Sequence, residues 1–152
     1  MQKILIAFMS LFMICTSLVH ADPTSSAINW STDYIGALKQ SKATSKPIVL
    51  FFTGSDWCGW CHKLQNESLN TSEFAQMAGN RFIFVEVDFP SKSNLPANVV
   101  AQNKQLQSKF AVRGFPSVII LDSNENILGK TGYQAGGGRA YAEHLFNMAN
   151  IK

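Results

Sequence analysis

Residues 48–52, Ile-Val-Leu-Phe-Phe, are an unbroken apolar run between Pro47 and Gly54. A run without alternation has both faces buried, which predicts an inner strand over residues 48–53. Residues 82–88, Phe-Ile-Phe-Val-Glu-Val-Asp, predict a second strand. Residues 118–121 predict a third. Polar turn residues 122–126 close it, and residues 127–131 pair back as an edge hairpin. Helical spacing governs the rest. Trp30, Tyr34 and Leu38 mark a helix over residues 33–42, with Ser31 or Thr32 as N-cap. A second helix starts at Cys58 and runs through Leu64 towards Glu67. Residues 72–78 carry Phe74, Met77 and Ala78 on one side. Residues 98–110 present Val99, Leu106 and Phe110 to a core, and residues 139–150 present Tyr141, Leu145, Phe146 and Met148. Residues 89–96, polar and holding two prolines, read as a loop. Gly136-Gly137-Gly138 reads as a flexible joint. An initial helix followed by β-α-β-α-β-β-α implies an α/β fold: a mixed central sheet flanked by helices, in one domain.

The amino terminus has a different pattern. Lys3 precedes an almost wholly apolar stretch from Ile4 to Val19, and Val19-His20-Ala21 offers a cleavage site after Ala21. About sixteen apolar residues is short for a membrane span and suits a signal peptide. Residues 1–21 are therefore expected to be an export signal and residues 22–29 a loose polar linker. Residues 30–152 are the expected domain. A retained anchor is the alternative reading. Lipid attachment at Cys15 is disfavoured by the bulky Ile14 before it. Beyond Ala21 the chain keeps twelve Lys/Arg and ten Asp/Glu, a net charge of +2. That balance, with no basic run, excludes a nucleic-acid partner.

Only Cys58 and Cys61 lie beyond the expected signal. A disulfide across so short a loop adds little stability, so this pair is expected to react, not to staple. One helical turn brings residues i and i+3 within disulfide reach. A helix start favours the thiolate of the first cysteine. Cys58 is thus the expected attacking thiol, exposed and acidic. Cys61 is the buried resolving thiol, releasing reduced substrate from a mixed disulfide on Cys58. Gly59 is expected to let the turn form and a substrate backbone approach. Trp60 reads either as an exposed contact at the rim or as core, and His62 either as a neighbour of the thiolate or as a plain surface residue. Downstream, Gly114-Phe115-Pro116 before the strand at residues 118–121 suggests a tight turn with a cis bond.

Two motifs together carry a family resemblance. Trp57-Cys58-Gly59-x-Cys61-x-Lys63 is similar to the active-site motif of the thioredoxin superfamily. Arg113-Gly114-Phe115-Pro116-Ser117, about 55 residues downstream, resembles its cis-proline loop. The resemblance covers residues 30–150 and implies a thioredoxin fold. With an export signal, the chain looks like the periplasmic thioredoxin-like disulfide reductases of the Dsb type. The resemblance implies catalytic Cys58 and Cys61, with Phe115 and Pro116 as the substrate-facing wall and Trp57 packed against the site; Gly59 and Trp60 are expected to meet substrate from their own positions in the motif. With no room for the dimerisation domain of Dsb-type isomerases, a monomer is expected, without metal or cofactor, acting on disulfide-bonded exported proteins; a reductase in an oxidising periplasm needs a supply of electrons, which implies a DsbD-like membrane donor.

The chain departs from the pattern where the family keeps acids. Six residues before the first cysteine, where thioredoxins carry a buried Asp, stands Phe52. Seven residues after it, where DsbD-like domains carry an acid, stands Gln65. Asp56 and Glu67 are the nearest acids in sequence, and both read as solvated charges. Four rival readings stand beside the reductase one. A non-catalytic binding module on the same fold would typically lose one or both cysteines, and this chain keeps both. Cys58-Gly59-Trp60-Cys61-His62 is also a c-type haem attachment string. Zinc would have only Cys58, Cys61, His62 and the remote His144. A disulfide isomerase or oxidant would share the site, although such Dsb-type proteins carry an added domain or insertion for which the chain has no room.

Overall fold

The computed structural model describes residues 27–151. The expected signal peptide and most of the expected linker lie outside the described residues. The chain runs β1 (Trp30–Ser31), α1 (Tyr34–Thr44), β2 (Ile48–Thr53), α2 (Gly59–Leu64), a π-helical turn (Gln65–Leu69), α3 (Ser72–Ala78), β3 (Ile83–Asp88), α4 (Ala97–Lys109), β4 (Ser117–Leu121), β5 (Ile127–Thr131) and α5 (Gly137–Ala149).

The strands form one sheet in the order β1-β3-β2-β4-β5. β1, β3 and β2 are parallel, and β4 and β5 are antiparallel to the strand before them in the sheet. β2 is central because every one of its residues is buried. Each such large apolar side chain contributes about 1.5–3 kcal/mol against a net stability of only about 5–15 kcal/mol, so this strand dominates placement of the sheet. Alternation sends Val49 and Phe51 to one face, where they meet Leu64, Phe74, Tyr141, Leu145 and both cysteines. Ile48, Leu50 and Phe52 go to the other face, against Tyr34, Ala37, Leu106 and Phe110. The site therefore grows from the first face, at the end where β2 runs out.

Four expectations need correction. Trp30 is not on the first helix: it forms an edge strand opposite Phe84 and packs on Phe51 and Phe84, with ring centroids 5.7 and 5.1 Å away. Burial of the indole outweighs helical spacing there. The N-cap of α1 is Asp33, whose Oδ1 accepts from the Gly36 amide at 2.9 Å; Ser31 instead accepts from the Asp33 amide. The helix begun at Cys58 changes to π geometry after Leu64, and this buries both Ser68 and Leu69. The glycine run is not a joint. Gly136 and Gly137 hold φ of +124° and +79°, and Gly138 is buried in the first turn of α5. A Cβ on Gly138 would strike Thr71 Oγ1 and come within 3.0 Å of the Phe74 amide nitrogen. Glycine lets α5 cross the start of α3.

Candidate active site

The turn after β2 is made by backbone bonds to Gly54. Its carbonyl accepts from the amides of Trp57 (3.2 Å) and Cys58 (2.9 Å). A Cβ on Gly54 would collide with the Trp57 indole, so glycine lets that ring fold back over the turn. Cys58 then leaves the turn with φ −86° and ψ 96°, as the N-cap of α2. Its Sγ accepts from the Cys61 amide at 3.2 Å. Cys58 and Cys61 are joined in a disulfide, with Cα atoms 5.2 Å apart. An amide donor aimed at Sγ favours the charged thiolate once the disulfide opens.

Cys61 is fully buried, but Cys58 is only 5 % exposed, where a freely exposed sulfur was expected. The hydrophobic cluster that takes in both cysteines, with Phe115 packed against it, accounts for the difference. Gly59 also differs from expectation. A Cβ there would meet nothing within 4 Å, so the turn does not require glycine; what it leaves is open space beside Cys58.

Two aromatic pairs border the motif. Trp57, 51 % exposed, meets Phe115 edge-on at 5.8 Å, and its Nε1 donates to the Phe89 carbonyl at 2.8 Å. Phe89 also stacks on Phe115, at 5.3 Å. The Phe115–Pro116 peptide is cis. Trp60 stands at the rim, 58 % exposed, against Tyr133 at 5.2 Å. His62 is a brace: its Nε2–H donates to the Ser55 carbonyl at 2.7 Å, within the same turn.

Neither acid nearest the cysteines in sequence is free to act as a base. Glu67 accepts from the Tyr133 hydroxyl and lies 3.8 Å from the Lys63 ammonium. Asp56 clasps the loop at residues 89–96, accepting from the Ser91, Lys92 and Ser93 amides at 2.9, 2.6 and 3.2 Å. The Ser91 amide leads in holding its carboxyl below the ordinary range; desolvation, next in weight, opposes this, and the Lys92 and Ser93 amides reinforce the lowering. A depressed folded value means the clasp stabilises the loop above the ordinary carboxylate pKa of about 3.9 and is lost as pH falls through the folded value. Asp56→Ala is therefore expected to lower the hydrogen-exchange protection factors of the Ser91–Ser93 amides at neutral pH, as acid does in the unsubstituted protein once its slower intrinsic exchange is divided out. Unchanged protection at those amides would show that Asp56 does not hold the loop.

The acid position of the family also resolves structurally. Phe52 faces away from the cysteines; its neighbour Phe51 is the one turned to their side. Its partner on β3 is Glu86, a half-buried carboxyl on that same face. Burial, then the charge of Asp88, pushes Glu86 above the usual carboxylate range. Sequence reading passed over Glu86, although it is the one charged residue inside an apolar strand pattern. Phe89 and Tyr133 were missed too, because both lie in loops, where periodicity carries no signal.

Comparison with known proteins gives concordant findings. A family model described as a thioredoxin-like domain matches residues 36–140. The disulfide bond reductase DsbH of Chlamydia pneumoniae is 42 % identical over 125 residues, which span 82 % of this chain and 75 % of that protein. The thioredoxin-related protein DsbJ of the same organism is 35 % identical over 108 residues, 71 % of this chain but 31 % of DsbJ. A solved DsbH oxidoreductase superposes with a TM-score of 0.80 and 40 % identity, covering 83 % of this chain and 87 % of that one.

Proposed function

This chain belongs to the thioredoxin-like family and is a thiol–disulfide oxidoreductase; from that premise we propose that it works as an exported protein-disulfide reductase. The observation that carries the site assignment is Cys58 Sγ on the Cys61 amide at the N-cap of α2. In the reduced protein the Cys58 thiolate attacks one sulfur of a substrate disulfide. A mixed disulfide forms and the other substrate sulfur leaves as a thiol. Cys61 then gives up its proton and attacks Cys58 Sγ, which releases the second substrate thiol and closes the Cys58–Cys61 disulfide. Two electrons pass from the pair to the substrate. Trp57, Gly59, Trp60, Phe115 and Pro116 are the proposed substrate-facing surface. Family membership, with Cys58 and Cys61 drawn into the core, leaves the haem-attachment reading of Cys58–His62 without support. His144 bonds Thr131 Oγ1 from α5, which does not favour the zinc reading.

The direction rests on the 42 % identity to a disulfide bond reductase and on the motif's inner residues, Gly59 and Trp60. Neither offers a charged hydrogen-bond donor to Cys58, and without one the thiolate lacks the extra stabilisation that makes a strong oxidant. Equilibration with glutathione is expected to give a potential of roughly −200 to −280 mV. A value near −120 mV would make the protein an oxidant, and efficient reshuffling of scrambled disulfides would make it an isomerase. Export to the periplasm is proposed from the pattern of residues 1–21. In an oxidising compartment the reduced form needs a supply of electrons, for which a DsbD-like membrane donor is proposed. The substrates are then disulfide-bonded exported proteins.

A further inference from the structure

Tyr133 reaches the site from the loop between β5 and α5, and three contacts fix it there. Its ring packs on Trp60 with centroids 5.2 Å apart. Its hydroxyl donates to Glu67 Oε2. The Lys63 ammonium sits 5.0 Å from the Trp60 ring and 5.1 Å from the Tyr133 ring, close enough to attract both. Glu67, one turn further along, balances that ammonium at 3.8 Å. Lys63 is thus turned to the rings and to Glu67, and Trp60, more than half exposed, presents an apolar surface beside this paired lysine. Such a surface costs free energy in water unless something covers it.

What covers it follows from the proposed chemistry, on which this inference rests. Trp60 lies two residues from Cys58, and Cys58 is 5 % exposed. Any polypeptide whose disulfide reaches Cys58 must lay its flanking residues on the adjoining surface. Because the lysine charge is already balanced, an acidic segment gains little there. An aromatic side chain gains a ring contact. We propose that Tyr133, positioned by Lys63 and Glu67, determines specificity by completing with Trp60 a platform for an aromatic residue beside the substrate's disulfide cysteine.

The test uses two disulfide-bonded peptides that differ only in having Phe or Ser next to the cysteine. The unsubstituted protein should prefer the Phe peptide in kcat/KM. Tyr133→Ala should lower that preference about five-fold, through KM, with kcat on the Phe peptide changed less than two-fold. The glutathione potential should stay the same, which separates a platform from a change at the cysteines. Tyr133→Trp should restore the preference. Lys63→Gln should lower it in part, because the rings lose their clamp. The preference is read both for reduction of the disulfide peptides and for oxidation of the dithiol forms. A protein that runs as an oxidant then fails the proposed direction without failing the platform. An unchanged Phe-to-Ser preference in Tyr133→Ala, or equal losses on the two peptides, overturns the inference.

Discussion

Replacing Cys58 with serine should abolish reduction of a protein disulfide, a loss of about three orders of magnitude or more, because no second thiol can begin the exchange. Cys61 is fully buried and cannot meet a substrate sulfur. Cys61→Ser should have a different phenotype. It keeps the nucleophile and loses the group that resolves the intermediate, so mixed disulfides should accumulate on Cys58 and survive non-reducing electrophoresis. The asymmetry follows from the helix start. Cys58 Sγ accepts the Cys61 amide at 3.2 Å, a bond that strengthens as the sulfur becomes charged. Attack should therefore persist to lower pH than for a free cysteine. The measurement is a titration of reduced protein at 240 nm together with trapping by each variant. Mixed disulfides formed by Cys58→Ser and not by Cys61→Ser would exchange the roles.

Gly138→Ala should be the most damaging single-methyl change outside the cysteines. The added Cβ enters the space of Thr71 Oγ1 and reaches the Phe74 backbone. Thr71 Oγ1 caps α3 by accepting from the Phe74 amide at 3.3 Å, and it donates to the Ser68 carbonyl at 2.7 Å. Moving it disturbs two helix ends together. Overpacking costs about 1–3 kcal/mol and a lost cap about 1 kcal/mol, so the melting temperature should fall by roughly 10 °C. A flexible joint would respond in the opposite sense, since alanine stiffens an unconstrained chain and stabilises it slightly. Gly59→Ala is the control: its Cβ meets nothing within 4 Å, and its effect on stability should be slight. A melting temperature for Gly138→Ala equal to or above that of the unsubstituted protein would restore the joint.

The elements were legible where local physics and tertiary burial agree. Residues 48–53 show an unbroken apolar run because β2 is covered on both faces, and its bounds match the pattern. Residues 72–78 and 127–131 also match, each being bounded by turn residues that end the element without help from elsewhere. Trp30 was misplaced because a two-residue edge strand is too short to have a period; only its pairing with Phe84 defines it. Gly138 was misread because a glycine needed for helix crossing looks, in sequence, like one needed for freedom.

The sequence by itself determined the α/β class, the reactive Cys58–Cys61 pair and its Gly-Phe-Pro turn, because spacing along one chain suffices to place a helix start behind a strand. Only the tertiary structure decided what surrounds the pair. It placed Phe51 on the cysteine side and Phe52 on the other, with Glu86 beside Phe51, since strand register brings together residues 35 positions apart. It turned Asp56 to the loop at residues 89–96, and Glu67 to Tyr133, away from the cysteines. It also brought Tyr133 to Trp60 across 73 residues. Hydrophobic period records which way a side chain faces within its own element. It carries no record of which loop will close over that face, because that depends on how distant elements pack.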